Sequence, residues 1–186
     1  MAQDSMYLSD TPNDIDKRKV KITKLFYKLI ADGESGLIKT FVNCWGDYID
    51  IHDVPADTGD NLLHLALAQD VETLAIVASL FPDLIEKPNF QGIKPLERVY
   101  ISSEWQEKLY YLLYYYPGSD IDLGSLIMEG EALQKFLCTV DFVLHYTDKK
   151  ITWVTYNEEW NLHWHCKQNP EDGLQVVLGE IPDTGV

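Results

Sequence analysis

The stretch that decides the fold is "GDNLLHLA" at residues 59–66, because a similar stretch, "GIKPLERV", follows at residues 92–99. Glycine opens both stretches, and leucine occupies the fifth position of both. Gly59 therefore precedes Gly92 by 33 residues, and Leu63 precedes Leu96 by the same distance. A fixed spacing of this size is typical of a repeated supersecondary unit. The sequence predicts that one structural unit occurs twice here.

Each copy has the pattern of a turn, a short helix and a longer helix. After Gly59, a run of leucines and alanines predicts a short buried helix, and a second helix follows that Pro82 ends. After Gly92, Pro95 suits the first turn of a short helix. The longer helix of this unit is "EWQEKLYYLLYYY", which Pro117 ends. We therefore expect two antiparallel helix pairs in the same orientation.

These two units resemble the ankyrin repeat, which consists of a turn and two antiparallel helices with a period of about 33 residues. The family pattern is Gly followed by Thr-Pro-Leu-His-x-Ala. The positions that match it are Gly59, Leu63, His64, Ala66, Gly92, Pro95 and Leu96. Asn61-Leu62 replaces Thr-Pro in the first unit, and Glu97-Arg98-Val99 replaces His-x-Ala in the second. The resemblance covers about residues 57–117, and it implies that His64 hydrogen-bonds the neighbouring turn.

The same plan extends more weakly to both sides of the two units. An amphipathic helix is predicted from Lys17 to Ala31, and Gly33-Glu34 opens a second helix. Downstream, a short helix is predicted over Leu123–Met128, and another helix begins at Glu131. Stacked repeats bury the apolar faces that a single repeat leaves open. We predict a mainly α fold, an ankyrin-type α-solenoid over 17–146 with degenerate end repeats, preceded by a flexible N-terminus over 1–16.

In the C-terminal segment, the pattern of apolar residues changes from one typical of helices to one typical of strands. "ITWVTY", "WNLHWHC" and "LQVVLGEI" are rich in β-branched and aromatic residues, and clusters of turn residues separate them. We predict a small antiparallel β-meander over 147–186, packed on the last helices, with Trp160, Leu162 and Trp164 against Phe136 and Val140.

Composition limits the classes of partner. The net charge is −15, which repels phosphates and predicts neither nucleic acid nor anionic lipid as a partner. We see neither a membrane span nor an ordinary signal peptide. The three cysteines are far apart, which is typical of reduced thiols in a cytoplasmic protein. We expect a cytoplasmic chain, or one delivered into a host cell, that is monomeric alone.

Few residues in the sequence are candidates for metal binding or catalysis. His163, His165 and Cys166 resemble metal ligands, but only the two histidines share a face of a strand, so we predict no metal and no cofactor. Cys44 is expected in the core. We predict no catalysis; the alternative is an enzyme site where the solenoid meets the β tail, around His145, His163 and His165.

The first helix carries a basic stripe, which consists of Lys17, Lys21, Lys24 and Lys28. Such a stripe suggests membrane or calmodulin-type binding, although a solvated outer face is the favoured interpretation.

The strongest functional pattern is the first inter-repeat turn, which is rich in aspartate and contains no Lys or Arg from Asp47 to Asp60. The ankyrin resemblance implies that turn tips and short helices hold the partner. With the acidic Asp53, the matching positions are Asp57, Thr58, Asp60, Ala68, Gln69, Phe90, Gln91, Ile93, Ile101 and Ser102. A rim of carboxylates around an aromatic anchor suits a protein partner with a basic patch. We predict a non-catalytic protein-protein interaction module, acting as an effector or as an inhibitor or immunity-type protein.

Overall fold

The computed structural model describes residues 12–126, 130–157, 162–169 and 173–179 of the chain, which is mainly helical with a small sheet. The helices are α1 Pro12–Ala31, α2 Ser35–Trp45, α3 Leu62–Leu67, α4 Val71–Leu80, α5 Pro95–Arg98, α6 Trp105–Tyr115 and α7 Gly130–Tyr146. The strands are β1 Asp120–Leu126, β2 Lys150–Asn157, β3 Leu162–Asn169 and β4 Gly173–Gly179. Short 3₁₀ turns follow α2, α4 and α5.

The two predicted units have the same internal order. A turn precedes the short helix α3 and the longer α4, and a second turn precedes the short α5 and the longer α6. Gly59 and Gly92 have φ values of 68° and 79°, so both turns use the left-handed backbone region that favours glycine. No strand occurs between residues 62 and 81, all of which the structure describes. The predicted order of short and longer helices and the equivalent turn glycines are therefore confirmed.

The helices form two layers around one apolar core. α3 contacts α1 on one side and α5 on the other, while α4 contacts α2 and α6. α7 then packs against α6 and extends the second layer. Buried leucines and one aromatic ring occupy the space between the layers: Phe26, Leu63, Leu74, Leu96, Leu109 and Leu112. Burial of such side chains supplies the main driving force for folding.

Both short helices begin with the same hydrogen-bond arrangement, made by different residues. The backbone N–H of Asn61 donates to Nδ1 of His64 at 3.2 Å. The backbone N–H of Lys94 donates to Oε2 of Glu97 at 2.9 Å. In each case a side chain in the first turn of the helix accepts a hydrogen bond from the backbone N–H of the N-cap residue. Glu97 therefore performs in the second unit the capping role that His64 performs in the first.

Asn61, which stands where the ankyrin pattern has threonine, links α3 to the segment after α4. Its Oδ1 accepts hydrogen bonds from the N–H groups of Leu63 and His64, at 2.9 and 3.2 Å. Its Nδ2 donates to the carbonyl oxygens of Leu84 and Lys87, at 3.0 and 2.9 Å. The amide oxygen can cap the helix while the amide nitrogen donates two hydrogen bonds. A threonine hydroxyl has only one hydrogen to donate. This departure from the pattern therefore adds contacts within the first unit.

A buried lysine joins the two units. Lys108 of α6 is fully buried, and its Nζ donates to the carbonyl oxygen of Leu67 at 2.9 Å. Leu67 is the last residue of α3, where the unpaired carbonyl groups of a helix favour a cation. Burial lowers the pKa of Lys108, while the charges of Glu104 and Asp70 act to raise it.

The sheet has the strand order β1-β2-β3-β4. Strands β2, β3 and β4 are antiparallel, as predicted, but β1 pairs with β2 in parallel. The predicted short helix over Leu123–Met128 is wrong for the residues that the structure describes, because β1 extends through Leu126. Ile121 is buried and pairs in register with Ile151, so a contact distant in sequence determines the strand.

Strand β2 places the sheet against the last helix. The ring of Trp153 is buried and lies 5.2 Å from the ring of Phe136, measured between centroids, at an interplanar angle of 81°. The side chains of Trp160, Leu162 and Trp164 lie outside the described part of the structure. Among the described side chains of the tail, Trp153 therefore packs against α7. Residues 1–11 of the predicted flexible N-terminus are also outside the description, and α1 already begins at Pro12.

Candidate protein-binding surface

The two repeat turns lie side by side and are joined by direct hydrogen bonds. The backbone N–H of Phe90 donates to the carbonyl oxygen of Thr58 at 3.1 Å. Below this contact, Nε2 of His64 lies 2.9 Å from the carbonyl oxygen of Ile93. The predicted bond from His64 to the neighbouring turn is therefore confirmed. We use the name turn surface for the exposed residues on these turns and at the end of the second short helix: Asp53, Asp57, Thr58, Phe90, Gln91 and Ile101.

Phe90 has a large part of its side chain in solvent although its ring rests on backbone. The side chain is 67% exposed. A Cβ atom placed on Gly59 would stand 2.5 Å from Cδ1 of Phe90, so the ring packs against Gly59 in space that a side chain at this position would need. Because glycine has no side chain, it allows this contact. The ring is thus supported on one side and free on the other.

Ile101 is the other apolar member of the turn surface, and it is 84% exposed. It ends the 3₁₀ turn Val99–Ile101 that continues α5. The next residue, Ser102, is half-buried and donates its hydroxyl to the carbonyl oxygen of Val99 at 2.7 Å, which closes the end of this segment. Ile101 therefore projects from a hydrogen-bonded segment of backbone.

The acidic members of the turn surface are Asp53 and Asp57, both exposed. Oδ1 of Asp57 accepts a hydrogen bond from the N–H of Thr58 at 3.0 Å, and the Thr58 hydroxyl accepts one from the N–H of Asp60 at 3.2 Å. These local bonds order the turn, and the Asp57 residue remains exposed. The remaining predicted contact positions differ in exposure: Ala68 and Gln91 are exposed, whereas Gln69 and Ile93 are half-buried.

Asp60 does not belong to this surface, and its predicted role as an exposed contact is corrected by its burial. It is 8% exposed. Its Oδ1 accepts a hydrogen bond from Nδ2 of Asn89 at 2.8 Å, and its Oδ2 accepts one from Nη1 of Arg98 at 2.9 Å. Both oxygens are therefore used to join the first turn to the second unit. Burial alone would raise the pKa of Asp60, but the bonds from Asn89 and Arg98 outweigh it and hold the pKa below its ordinary value.

The sequence interpretation missed Arg98 and Asn89 as partners of Asp60. Arg98 follows Asp60 by 38 residues and stands in the segment that departs from the ankyrin pattern. Asn89 follows it by 29 residues. These positions meet only because the two turns stack, so no local sequence pattern around Asp60 identifies its partners.

The protonation state of His64 follows from its two neighbours. A backbone N–H can only donate, so Nδ1, which receives the bond from Asn61, carries no proton. Nε2 then carries the proton and donates to Ile93. Burial lowers the pKa of His64 below its ordinary value, although the bond to Ile93 and the charge of Asp60 oppose this. The neutral ring is the form that both hydrogen bonds require.

The residues of the alternative enzyme site do not share one face of the sheet with Trp153. The register pairs Trp153 with Cys166 and Val154 with His165. Because alternate positions of a strand belong to opposite faces, the positions of His163 and His165 fall on the face opposite to that of Trp153. His145, on α7, is exposed. Within the described residues there is no group of three or more His, Cys, Asp or Glu side chains that could hold a metal ion.

The cysteines of the helices are exposed. Cys44 was expected in the core, and this prediction is wrong, because Cys44 lies on the solvent side of α2. Cys138 of α7 is also exposed.

Three comparisons, with protein-family models, with curated proteins and with solved structures, gave no match to this chain. As for membranes, no helix in the described part of the chain combines the length and the apolar character that crossing a bilayer requires.

Proposed function

We propose that this chain is a non-catalytic binding module that holds a partner protein on the turn surface. The observation that carries the proposal is the exposure of Ile101 and Phe90, at 84% and 67%. Among the described side chains they are the two most exposed large hydrophobic ones. Aromatic and aliphatic anchors of this kind contribute most of the energy of protein interfaces.

The chemistry of the surrounding residues supports a basic partner. Asp53 and Asp57 are exposed carboxylates of the first turn, whose Thr58 is hydrogen-bonded to Phe90, and the chain as a whole carries a net charge of −15. A rim of one charge sign speeds the encounter with a partner of the opposite sign. Such a surface suits an inhibitor or immunity-type protein that blocks a basic partner, and it also suits an effector that docks on a host protein with a basic patch.

We also propose that residues 57–117 are two divergent ankyrin-type repeats. The turn glycines, the bond from His64 to the next turn and the two helix layers support this. In such repeats the turns and short helices of successive units form one continuous surface. The hydrogen bond between Phe90 and Thr58 provides that continuity here.

Site-specific photo-crosslinking in a native lysate tests the proposed function. Phe90 is replaced by p-benzoylphenylalanine, an aromatic residue that preserves the ring and crosslinks to whatever covers it. Leu37, which is 54% exposed on α2, receives the same substitution as a matched control. We expect a discrete crosslinked protein from position 90 that is absent from position 37. The same products from both positions, or none from position 90, would exclude the turn surface as the binding site.

A further inference from the structure

A second surface lies on the helix layer away from the turns. It is a groove between α6 and α7 with a volume of about 420 Å³. Tyr110 and Tyr111 line it from α6, Cys138 and Phe142 from α7, and Val71 closes it from the start of α4. Clefts that bind small ligands commonly have volumes of about 300–1,000 Å³. We use the name aromatic groove for this cavity.

The rings of the aromatic groove form one contacting set. The centroid of Tyr110 lies 5.0 Å from that of Tyr111 and 5.4 Å from that of Phe142. Both pairs meet edge to face, at interplanar angles of 69° and 68°. Edge-to-face pairs hold each ring in a defined orientation, so part of the aromatic surface stays directed toward the cavity. Phe142 is half exposed, at 50%, which leaves room for a ligand to cover it.

The charge of the aromatic groove is negative. Glu107 of α6 is exposed and lines the cavity, and none of the described lining residues is Lys or Arg. Lys135 interacts with Glu107 through its charge, but it does not line the cavity, and its Nζ pairs with Oε1 of Glu131 at 2.8 Å. Asp70, directly before Val71, is also exposed. A cavity with aromatic walls and a carboxylate at its edge is complementary to an organic cation.

We infer that the aromatic groove binds an arginine side chain of a partner protein. A guanidinium is planar and can stack on a tyrosine or phenylalanine ring while its N–H groups donate to a carboxylate. Glu107 and the rings of Tyr110, Tyr111 and Phe142 supply those two kinds of contact in one cavity. This inference does not depend on the turn surface, because none of the groove residues belongs to it.

Nuclear magnetic resonance of the full chain with labelled Tyr and Phe rings tests the inference. The probe is the blocked peptide Ac-Gly-Ser-Arg-Ser-Gly-NH2, and the matched probe carries citrulline, a neutral side chain of the same shape. We expect the arginine peptide to shift the ring signals of Tyr110, Tyr111 and Phe142, and to bind at least about fivefold more tightly than the citrulline peptide.

Two exposed carboxylates give a matched pair of variants. Glu107→Gln should weaken the arginine peptide about fivefold or more, while Glu34→Gln, in the first helix pair, should leave its affinity unchanged. Phe142→Ala should also weaken it, and its half-exposed position allows the chain to fold. Equal affinity for the two peptides, or shifts confined to Phe90, would overturn the inference. The second outcome would leave the proposed turn surface intact.

Discussion

Nε2 of His64 donates a hydrogen bond to the carbonyl oxygen of Ile93, 29 residues further along the chain, at 2.9 Å. This bond connects the short helix of one unit to the turn of the next. Nδ1 of the same ring accepts from the N–H of Asn61, so the ring also caps its own helix. One neutral imidazole therefore supports both the start of α3 and the stacking of the two units.

The first prediction concerns the pH dependence that His64 brings. Because burial lowers its pKa in the folded state, the unfolded chain takes up the proton first, below a pH of about 6.5. The contribution of His64 to stability is therefore present above that pH and is lost as the pH falls through the folded pKa. His64→Gln should reduce stability at pH 7.5 by about 1–3 kcal/mol and flatten its decline toward pH 5. Urea denaturation at several pH values measures both effects; an unchanged slope in the variant would contradict the assignment.

The second prediction uses the two turn glycines as a matched pair. Both have positive φ, so Gly59→Ala and Gly92→Ala should each cost about 1 kcal/mol from backbone conformation. A new Cβ at position 92 meets no atom within 4 Å, whereas at position 59 it meets the Phe90 ring at 2.5 Å. Gly59→Ala should therefore cost more and displace the ring of Phe90. Thermal denaturation gives the difference, and equal losses of stability would show that Phe90 does not rest on Gly59.

The third prediction concerns the pair of Asp60 and Arg98. Asp60→Asn should destabilise the fold by about 1–3 kcal/mol, because it weakens a charge-assisted bond to Arg98 at a buried position. Asp57→Asn is the exposed control and should change stability by less than about 0.5 kcal/mol. A double-mutant cycle with Arg98→Met measures the coupling between the two side chains. We expect the double variant to lose about 1 kcal/mol less stability than the sum of the losses in the two single variants. If the two substitutions are additive, the pair does not join the units.

The pH dependence of this pair has the usual sign for a carboxylate. The folded pKa of Asp60 lies below its unfolded value, so its contribution to stability is complete above the unfolded pKa. It is lost as the pH falls through the folded pKa. The Asp60→Asn variant should therefore lose less stability than the native chain on acidification below pH 4.

The repeat could be predicted from sequence because its information is local and periodic. Gly59 and Gly92 mark two turns of equal geometry, and His64 stands where its bond to the next turn requires it. His64 and Glu97 occupy equivalent positions in the two units, and each accepts a hydrogen bond from the N–H of the residue just before its helix, Asn61 or Lys94.

Other features depend on contacts that no local pattern encodes. Strand β1 forms because Ile121 pairs with Ile151, and its short sequence alone favoured a helix. Asp60 is buried by Arg98 and Asn89, so its charge suggested an exposed role that its partners exclude. Cys44 has apolar neighbours in sequence but lies on the outer side of α2. In each case tertiary packing decided the outcome.

The fourth prediction concerns the acidic rim. Asp53→Lys with Asp57→Lys should slow association with the partner and weaken the salt dependence of its rate, because rim charges act mainly on encounter. The dissociation rate should change little. Surface plasmon resonance at several salt concentrations separates the two rates. A change confined to dissociation would mean that these carboxylates contact the partner directly rather than attract it.

The measurement that tests the binding proposal most directly is the affinity of the crosslinked partner for Phe90→Ala, for Ile101→Ala and for the control Leu37→Ala. A buried anchor at an interface contributes about 2 kcal/mol or more, which acts mainly through the dissociation rate. We predict that Phe90→Ala and Ile101→Ala each weaken binding about thirtyfold, with faster dissociation, and that Leu37→Ala leaves it unchanged. Native affinity in both turn-surface variants, or an equal loss in the Leu37→Ala control, would contradict the proposed turn surface.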